Sequence, residues 1–320
     1  MSAKRIAVLT SGGDAPGMNA AIRAIVRTAV TLGIEVFGVY DGYKGLVEGK
    51  IEQFDSKSVS HILSQGGTIL GSSRLPEFKE KVVRELAVKQ LNKLYIDGLI
   101  VIGGDGTFCG GLRLHEMGVK IIGIPATIDN DVVSTDYTIG FSTAQNTIVD
   151  AIDKLRDTAE SHQRCSVVEV MGRRCGDLAL YSGICGGAEF VITNDTGFNK
   201  QEMLDSLRRK RLRGRRHSIV ILTENTVNPE ELAKEIEDYS GYETRATVLG
   251  YVQRGGRPTP EDRVLASRLG CYAVELLNEG QSGLVVGTRN NIITSTPIEE
   301  ALKMEYVPNK ELYDLVGKIR

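Results

Sequence analysis

Asp129 and Asp131 stand two residues apart in Pro125-Ala126-Thr127-Ile128-Asp129-Asn130-Asp131, after the apolar run Lys120–Ile124. A carboxylate in such a turn can take the proton of a hydroxyl or hold a metal. In extended chain this spacing sends both side chains to one side. Two further turns share this chemistry: Ser11-Gly12-Gly13-Asp14-Ala15-Pro16-Gly17 after Ile6–Thr10, and Gly103-Gly104-Asp105-Gly106-Thr107 after Leu99–Ile102. Glycine lets a backbone approach a phosphate closely, and the N–H groups at the start of a following helix bind its oxygens. Asp105, between glycines, suits Mg²⁺, which takes one or two carboxylates plus substrate phosphates. Together the three turns point to phosphoryl transfer. Each alone also fits an ordinary strand-to-helix turn, and the paired aspartates also fit solvated turn carboxylates. The first turn has neither the Gly-Lys-Ser/Thr of a P-loop nor a dinucleotide fingerprint.

The arginines extend the pattern. Arg74 sits in Gly71-Ser72-Ser73-Arg74-Leu75-Pro76, Arg173 follows Met171-Gly172, and Arg164, Arg245 and Arg254 fall near other strand or turn ends. Guanidinium forks bind phosphate through two parallel hydrogen bonds. Singly each reads as a surface ion pair; as a set they suggest a second phosphate, distant from the reacting one. The basic run from Arg208 to His217 fits a helix C-terminus closed by Gly214. It also fits a pocket for a small anionic effector, or a nucleic-acid patch, although it lacks interleaved aromatics. No pair among the four histidines has metal-ligand spacing.

These residues need elements that present them together. The apolar runs before the three turns read as buried parallel strands, whose carboxyl ends are where ligands bind in open α/β sheets. Further strands are expected at Val36–Tyr40, Val167–Met171, Ile219–Leu222, Thr247–Val252 and Leu284–Thr288. Helices are expected at Met18–Thr31, Lys79–Leu94, Phe108–Met117, Thr143–Ala159, Lys200–Arg213, Pro229–Tyr239 and Pro260–Leu277. Strands alternating with helices imply right-handed crossovers and an α/β fold with mostly parallel sheets. At 320 residues, 41% hydrophobic and 25% charged, the chain suggests two domains with full cores. A break near Gly140 is expected, with the active site in a cleft between domains. The formal net charge of -2 argues against general affinity for nucleic acid or membrane. The five cysteines include no C-x-x-C pair and read as thiols of a reducing, cytoplasmic setting.

The order of the motifs resembles the bacterial ATP-dependent 6-phosphofructokinases over nearly the whole chain. The resemblance rests on Leu9–Asn19, Gly103–Thr107, Thr127–Asp131, Ser161–Arg164, Met171–Arg173 and Gln253–Gly256. It implies two similar Rossmann-like three-layer domains, 1–139 plus 252–302 for ATP and 140–251 plus 303–320 for the sugar phosphate. It also implies a glycolytic homotetramer that transfers the ATP γ-phosphoryl group to fructose 6-phosphate. Asp129 resembles the base, with Asp131 beside it, and Asp105 the Mg²⁺ residue. Thr127 and Arg173 resemble groups that steady the transferred phosphoryl. Gly13, Arg74, Leu75, Gly104, Asp105, Gly106 and Thr107 correspond to the ATP site. Thr127, Ile128, Asp129, Arg164, Met171, Gly172, Arg173, Glu224, Arg245, Tyr251 and Arg254 correspond to the sugar-phosphate site, with Arg164 and Arg245 supplied by a neighbouring subunit. An effector site for ADP or phosphoenolpyruvate corresponds to Arg23, Arg27, Arg156, Gly187, Glu189, Arg213, Arg215 and His217, with Glu189 available to the Mg²⁺ of bound ADP.

Four positions depart from relatives. Ser56 stands where arginine is usual and His61 where aspartate is usual, which implies a weakened effector response. Tyr251 replaces a histidine near the sugar's phosphate, and Ala126 replaces a glycine. Pyrophosphate-dependent members of the family commonly carry Asp where Gly106 stands and Lys where Ala126 stands, so ATP is the expected donor. The alternatives are a pyrophosphate-dependent enzyme, a non-catalytic sugar-phosphate sensor and, last, a nucleic-acid binder using the basic run.

Overall fold

The computed structural model describes residues 3–319. Its strands are β1 (Arg5–Thr10), β2 (Glu35–Val39), β3 (Ile51–Phe54), β4 (Gly98–Gly103), β5 (Lys120–Pro125), β6 (Arg164–Val170), β7 (Phe190–Ile192), β8 (Ser218–Thr223), β9 (Glu243–Val248), β10 (Leu284–Arg289) and β11 (Ile292–Pro297). The chain divides into two compact units. The first comprises the chain to Ile128, Val132–Thr143 and Arg254–Glu305. The second comprises Asp129–Asp131, Ala144–Gln253 and the chain from Tyr306.

In the first unit, seven strands run in the order β11-β10-β5-β4-β1-β2-β3. β10, β5, β4, β1 and β2 are parallel, and the edge strands β11 and β3 pair antiparallel. β4 is buried at every residue, as its unbroken apolar sequence requires. Leu9, Leu99, Val101, Phe108 and Ile121 belong to this unit's core. Helix Met18–Thr31 packs along helix Pro260–Asn278. The close approach needs small residues: a Cβ at Gly270 would come within 2.9 Å of the Ala21 carbonyl and the Ala24 methyl.

The second unit carries a four-stranded parallel sheet, β7-β8-β6-β9. Its core gathers Cys165, Val167, Leu207, Val220, Leu222, Ile236 and Tyr242. Both sheets are thus largely parallel, as the alternating pattern implies. One strand expectation fails. The run Thr247–Val252 is not a strand: β9 ends at Val248, and Gly250–Arg254 forms a 3₁₀ turn. Gly250 takes φ +54°, a left-handed conformation that ends an extended run. The short edge strands β3, β7 and β11 and the helices Gly42–Glu48 and Asp177–Cys185 carry too weak a periodic signal to be read from sequence, whereas helix Lys310–Ile319 is plainly amphipathic and is absent from the sequence expectations.

Candidate active site

From β1 the chain moves to β2 on one side, while β4 and β5 follow on the other. The strand order therefore reverses between β1 and β4, the position where α/β sheets bind ligands. All three turns leave carboxyl ends there, and cross-links hold them together. Ser11 N–H donates to the Ile102 carbonyl (3.0 Å) and Ala126 N–H to the Gly103 carbonyl (3.0 Å). The Thr107 hydroxyl donates to the Ser11 carbonyl (3.0 Å).

The second turn is not a loop before a helix at Phe108. The helix begins at Asp105, because the Gly104 carbonyl accepts from Thr107 N–H (2.9 Å) and Phe108 N–H (3.1 Å). Asp105 is therefore a first-turn carboxylate at the positive end of the helix dipole, and it is exposed. Three glycines here have two different reasons. At Gly103 a Cβ would lie 2.3 Å from both the Ser11 carbonyl and the Thr107 hydroxyl, so packing requires glycine. At Gly104 and Gly106 a Cβ would meet nothing within 4 Å, and neither residue has positive φ. The fold does not ask for glycine at those two positions.

Gly13 has a neighbour that the sequence does not announce. The Arg254 guanidinium lies on it: a Cβ would fall 2.2 Å from Nη1, which also donates to the Asp14 carbonyl (3.3 Å). Gly13 and Arg254, expected at different substrates, thus lie against each other. The Arg74 loop is brought to the same rim by the Ser72 hydroxyl on the Gly12 carbonyl (2.6 Å) and the Thr10 hydroxyl on the Gly71 carbonyl (2.7 Å). Arg74 itself is exposed, and Leu75 packs against the first core.

Thr127 and Ile128 follow β5, and the Thr127 carbonyl accepts from the Thr138 hydroxyl (2.7 Å). The next residues are not extended. Ile128 and Asp129 form a turn and Asn130 takes φ +54°, so Asp129 and Asp131 do not project from a straight strand to a common side. Asp129 is buried (6% exposed), while Asp131 is only partly so. The Asn130 side chain donates to Asp177 Oδ2 (2.8 Å).

In the second unit, Met171, Gly172 and Arg173 continue from the carboxyl end of β6. Met171 N–H donates to Gln253 Oε1 (3.1 Å), and Gln253 is fully buried. Gly172 takes φ +136° and Arg173 φ +55°. Left-handed backbone in a non-glycine residue persists only where surroundings fix it. Here Arg173 N–H donates to Glu224 Oε1 (3.0 Å), and its carbonyl accepts from Asn194 (2.9 Å). Burial, and then the neighbouring Glu224, push the Glu169 carboxyl above its ordinary range. Tyr251, on the 3₁₀ turn, is 82% exposed.

Arg164 and Arg245 are elsewhere. Arg164 opens β6, and Arg245 lies inside β9 in register with Ser166, not at a strand end. Both point their charge into carboxylates. Arg164 pairs with Glu243 (3.0 Å), and Arg245 pairs with Glu243 (3.0 Å) and Glu237 (3.3 Å). At about 3.3 Å per residue, they stand roughly 17–23 Å along the sheet from Met171.

The expected effector residues of this unit gather at the same amino-terminal end. Glu189 precedes β7, and Arg213, Arg215 and His217 precede β8. Arg156 donates to the Gly186 carbonyl beside Gly187, and His217 pairs with Glu160. Glu189 is not a free metal ligand. It is 2% exposed, accepts from Ile219 N–H (2.6 Å) and pairs with Arg215 (3.3 Å). Arg23 and Arg27 lie four apart on helix Met18–Thr31 of the first unit, and Ser56 and His61 are exposed there. The basic run ends a helix, as its simplest reading holds: the helix stops at Leu212 and Gly214 takes φ +83°.

Sequence reasoning passes over Asp262 and Asp177, and includes Gln253 only as part of a motif. Asp262 is 1% exposed and accepts from Gly140 N–H (2.8 Å), Thr143 N–H (2.8 Å) and the Thr143 hydroxyl, fixing the start of helix Phe141–His162. Burial raises its carboxyl above the ordinary range, against those donors. The available signal is local: Thr259-Pro260-Glu261-Asp262 reads as a helix start, with Thr259 as cap and Asp262 three residues on, but its partners at Gly140 and Thr143 are not encoded there.

Comparison with known proteins follows the same pattern. A family model described as phosphofructokinase matches residues 5–277. The ATP-dependent 6-phosphofructokinase of Photobacterium profundum is 55% identical over 317 residues, 99% of either chain. The solved phosphofructokinase of Saccharomyces cerevisiae superposes with a TM-score of 0.88 at 35% identity, covering 99% of this chain and 46% of that longer one. A pyrophosphate-dependent phosphofructokinase from Marinobacter aquaeolei superposes with a TM-score of 0.84 at 19% identity, covering 99% of this chain and 91% of that one, which speaks to the fold alone.

Proposed function

This chain belongs to the phosphofructokinase family, and from that premise we propose that it transfers the γ-phosphoryl group of ATP to the 1-hydroxyl of fructose 6-phosphate. The products are fructose 1,6-bisphosphate and ADP. The assignment of residues is carried by Gly104 and Gly106. They stand at the reversal of strand order, and neither packing nor backbone conformation requires glycine there. An incoming polyphosphate supplies the missing reason, because only a bare backbone lets N–H groups reach its oxygens.

In this reading Asp129 accepts the proton of the sugar's 1-hydroxyl as that oxygen bonds to the γ-phosphorus and the bond to ADP breaks. Thr127 and Arg173 donate to the transferring group, whose charge is spread over its outer oxygens. Asp131 supports the turn. Arg74 and Leu75, with Gly104–Thr107, hold the nucleotide. Asp105 suits Mg²⁺ because it is an exposed carboxylate beside open glycines. Among the described residues no cluster of three or more His, Cys, Asp or Glu could cage a metal. Mg²⁺ in such sites is held chiefly by substrate phosphates, and Asp105 would serve as its protein ligand. Bound there, Mg²⁺ would neutralise phosphate charge.

Met171, Gly172, Glu224, Tyr251 and Arg254 bind the sugar phosphate. Arg164 and Arg245 serve the corresponding site of a neighbouring copy in a homotetramer. This is supported by their distance along the sheet from Met171 and Glu224. The amino-terminal cluster around Arg215 takes ADP or phosphoenolpyruvate. A coupled assay with ATP and with pyrophosphate, each over a range of fructose 6-phosphate, tests the donor. Turnover with ATP is expected, with Gly106→Asp impairing it through repulsion of the phosphates. Faster turnover with pyrophosphate would reverse the donor assignment.

A further inference from the structure

The chain returns to the second unit at Tyr306, and this residue meets the machinery of the reaction. Its hydroxyl donates to Asp177 Oδ1 at 2.6 Å. The other oxygen, Oδ2, accepts from the Asn130 side chain at 2.8 Å. Asp177 is buried (7% exposed), so both oxygens depend on such donors. Asn130 is the left-handed residue between Asp129 and Asp131. We infer that Tyr306 is a positioning residue for phosphoryl transfer: through Asp177 it fixes the side chain, and with it the backbone turn, of Asn130.

The physical reason is the weak intrinsic preference of this turn. Asparagine tolerates φ near +54° but does not insist on it. A side-chain bond to an immobile carboxylate selects that conformation, and the conformation sets where the Asp129 and Asp131 carboxylates lie. Asp177 is immobile because it is bracketed from two segments distant in sequence. Burial and the bond to Asp177 push the Tyr306 hydroxyl far above its ordinary range, so it remains a donor throughout the working pH. A second tyrosine reinforces the arrangement. Tyr313 donates to Asp195 (3.0 Å), which accepts from Gly176 N–H (2.7 Å), the residue before Asp177. Gly176 has no room for a side chain, since a Cβ would lie 2.6 Å from the Tyr313 hydroxyl.

The inference rests on Asp129 as the base, so the test carries Asp129→Ser as a reference. Steady-state kinetics for both substrates and thermal unfolding are measured for Tyr306→Phe, Asn130→Gly and the double variant. Glycine at 130 keeps the left-handed conformation accessible while removing the amide. Tyr306→Phe is expected to lower kcat about five- to tenfold, the effect of one lost hydrogen bond in a positioning chain. KM for ATP and fructose 6-phosphate should stay within about twofold. Asn130→Gly should do the same, and the double variant should be no worse than the weaker single one, because both break one chain. Normal kcat in Tyr306→Phe, or losses that multiply in the double variant, would leave Tyr306 a stabilising residue only and overturn the inference. If Tyr306→Phe fails to fold, the kcat of Asn130→Gly decides, and an unchanged value overturns it. Near-normal turnover in a folded Asp129→Ser variant would instead remove the base assignment, and this inference with it.

Discussion

The two ends of the four-stranded sheet hold charge in opposite ways. At the carboxyl end, Arg173 is fixed through its backbone: φ is +55°, its N–H is on Glu224, its carbonyl is held by Asn194, and the preceding Met171 N–H is on the buried Gln253. At the amino end, the side chains of Arg164, Arg245, Arg215 and His217 are engaged by the carboxylates of Glu243, Glu237, Glu189 and Glu160, and Arg245 also donates to the Thr244 carbonyl (2.9 Å). A fixed backbone narrows where the exposed Arg173 side chain can reach, which suits a group that is to meet developing charge. Side-chain ion pairs at a surface are weak and exchangeable. An incoming phosphate can take Arg164 or Arg245 from its exposed carboxylate at small cost, whereas the buried Glu189 holds Arg215 more firmly. In the function proposed above, the first end serves the chemistry and the second serves binding.

The largest effect should come from the fixed end. Arg173→Ala is expected to lower kcat by roughly two to three orders of magnitude, the scale for losing a donor to transition-state charge. Stopped-time or coupled assays at saturating substrates measure it. A change below about threefold would place the chemistry elsewhere and dissolve the contrast.

At the adjustable end, Arg245→Ser should act on binding. We expect the KM for fructose 6-phosphate to rise about ten- to a hundredfold, as for one lost charge-assisted hydrogen bond, with the KM for ATP little changed. Equal effects on both substrates would argue against a sugar-phosphate role.

The effector response should be weak, with Ser56 and His61 in place of charged residues. Ser56→Arg is expected to increase sensitivity to phosphoenolpyruvate about tenfold in fructose 6-phosphate saturation curves at subsaturating ATP. His61 already adopts φ +63°, a conformation aspartate tolerates as well, so His61→Asp can be combined with it without added backbone strain. If the unaltered protein shows strong sigmoidal inhibition by low micromolar phosphoenolpyruvate, these two positions do not matter in this way.

The smallest effect concerns Glu243, which ties up two arginines. Glu243→Gln should lower the KM for fructose 6-phosphate by no more than about fivefold, because exposed pairs are worth little. The pH dependence has a definite sign. The hydrogen bond from Arg164 first, and then the charges of Arg164 and Arg245, hold the Glu243 carboxyl below its ordinary 4.5. A depressed carboxyl stabilises the fold above its unfolded value, and that contribution is lost as pH falls through the folded value. Thermal unfolding of the wild type and Glu243→Gln should therefore converge as pH falls below about 4.5.

How much of this was legible beforehand differs between the same two ends. Met171-Gly172-Arg173 announces itself, because a glycine and an arginine after an apolar run leave few readings. Arg164 and Arg245 could be named from the resemblance, but their carboxylate partners could not. Glu243 meets Arg164 through strand pairing, and Glu237 meets Arg245 through packing of a helix on β9. Glu189 was expected to be available and is instead buried between Ile219 and Arg215, because β7 lies against β8.

The sequence alone determined the parallel strands, the three turns at their carboxyl ends and the chemistry those turns suit. Apolar runs, glycines and carboxylates are local features, and local features survive in a one-dimensional reading. Only the tertiary structure decided that Asp105 begins a helix, that the Arg254 guanidinium lies over Gly13, and that Asn130 turns left-handed and donates to Asp177. It also decided that a tyrosine near the end of the chain holds Asp177. The last three depend on partners dozens to hundreds of residues away, brought into range by sheet order and chain return, and no periodicity encodes such a partner.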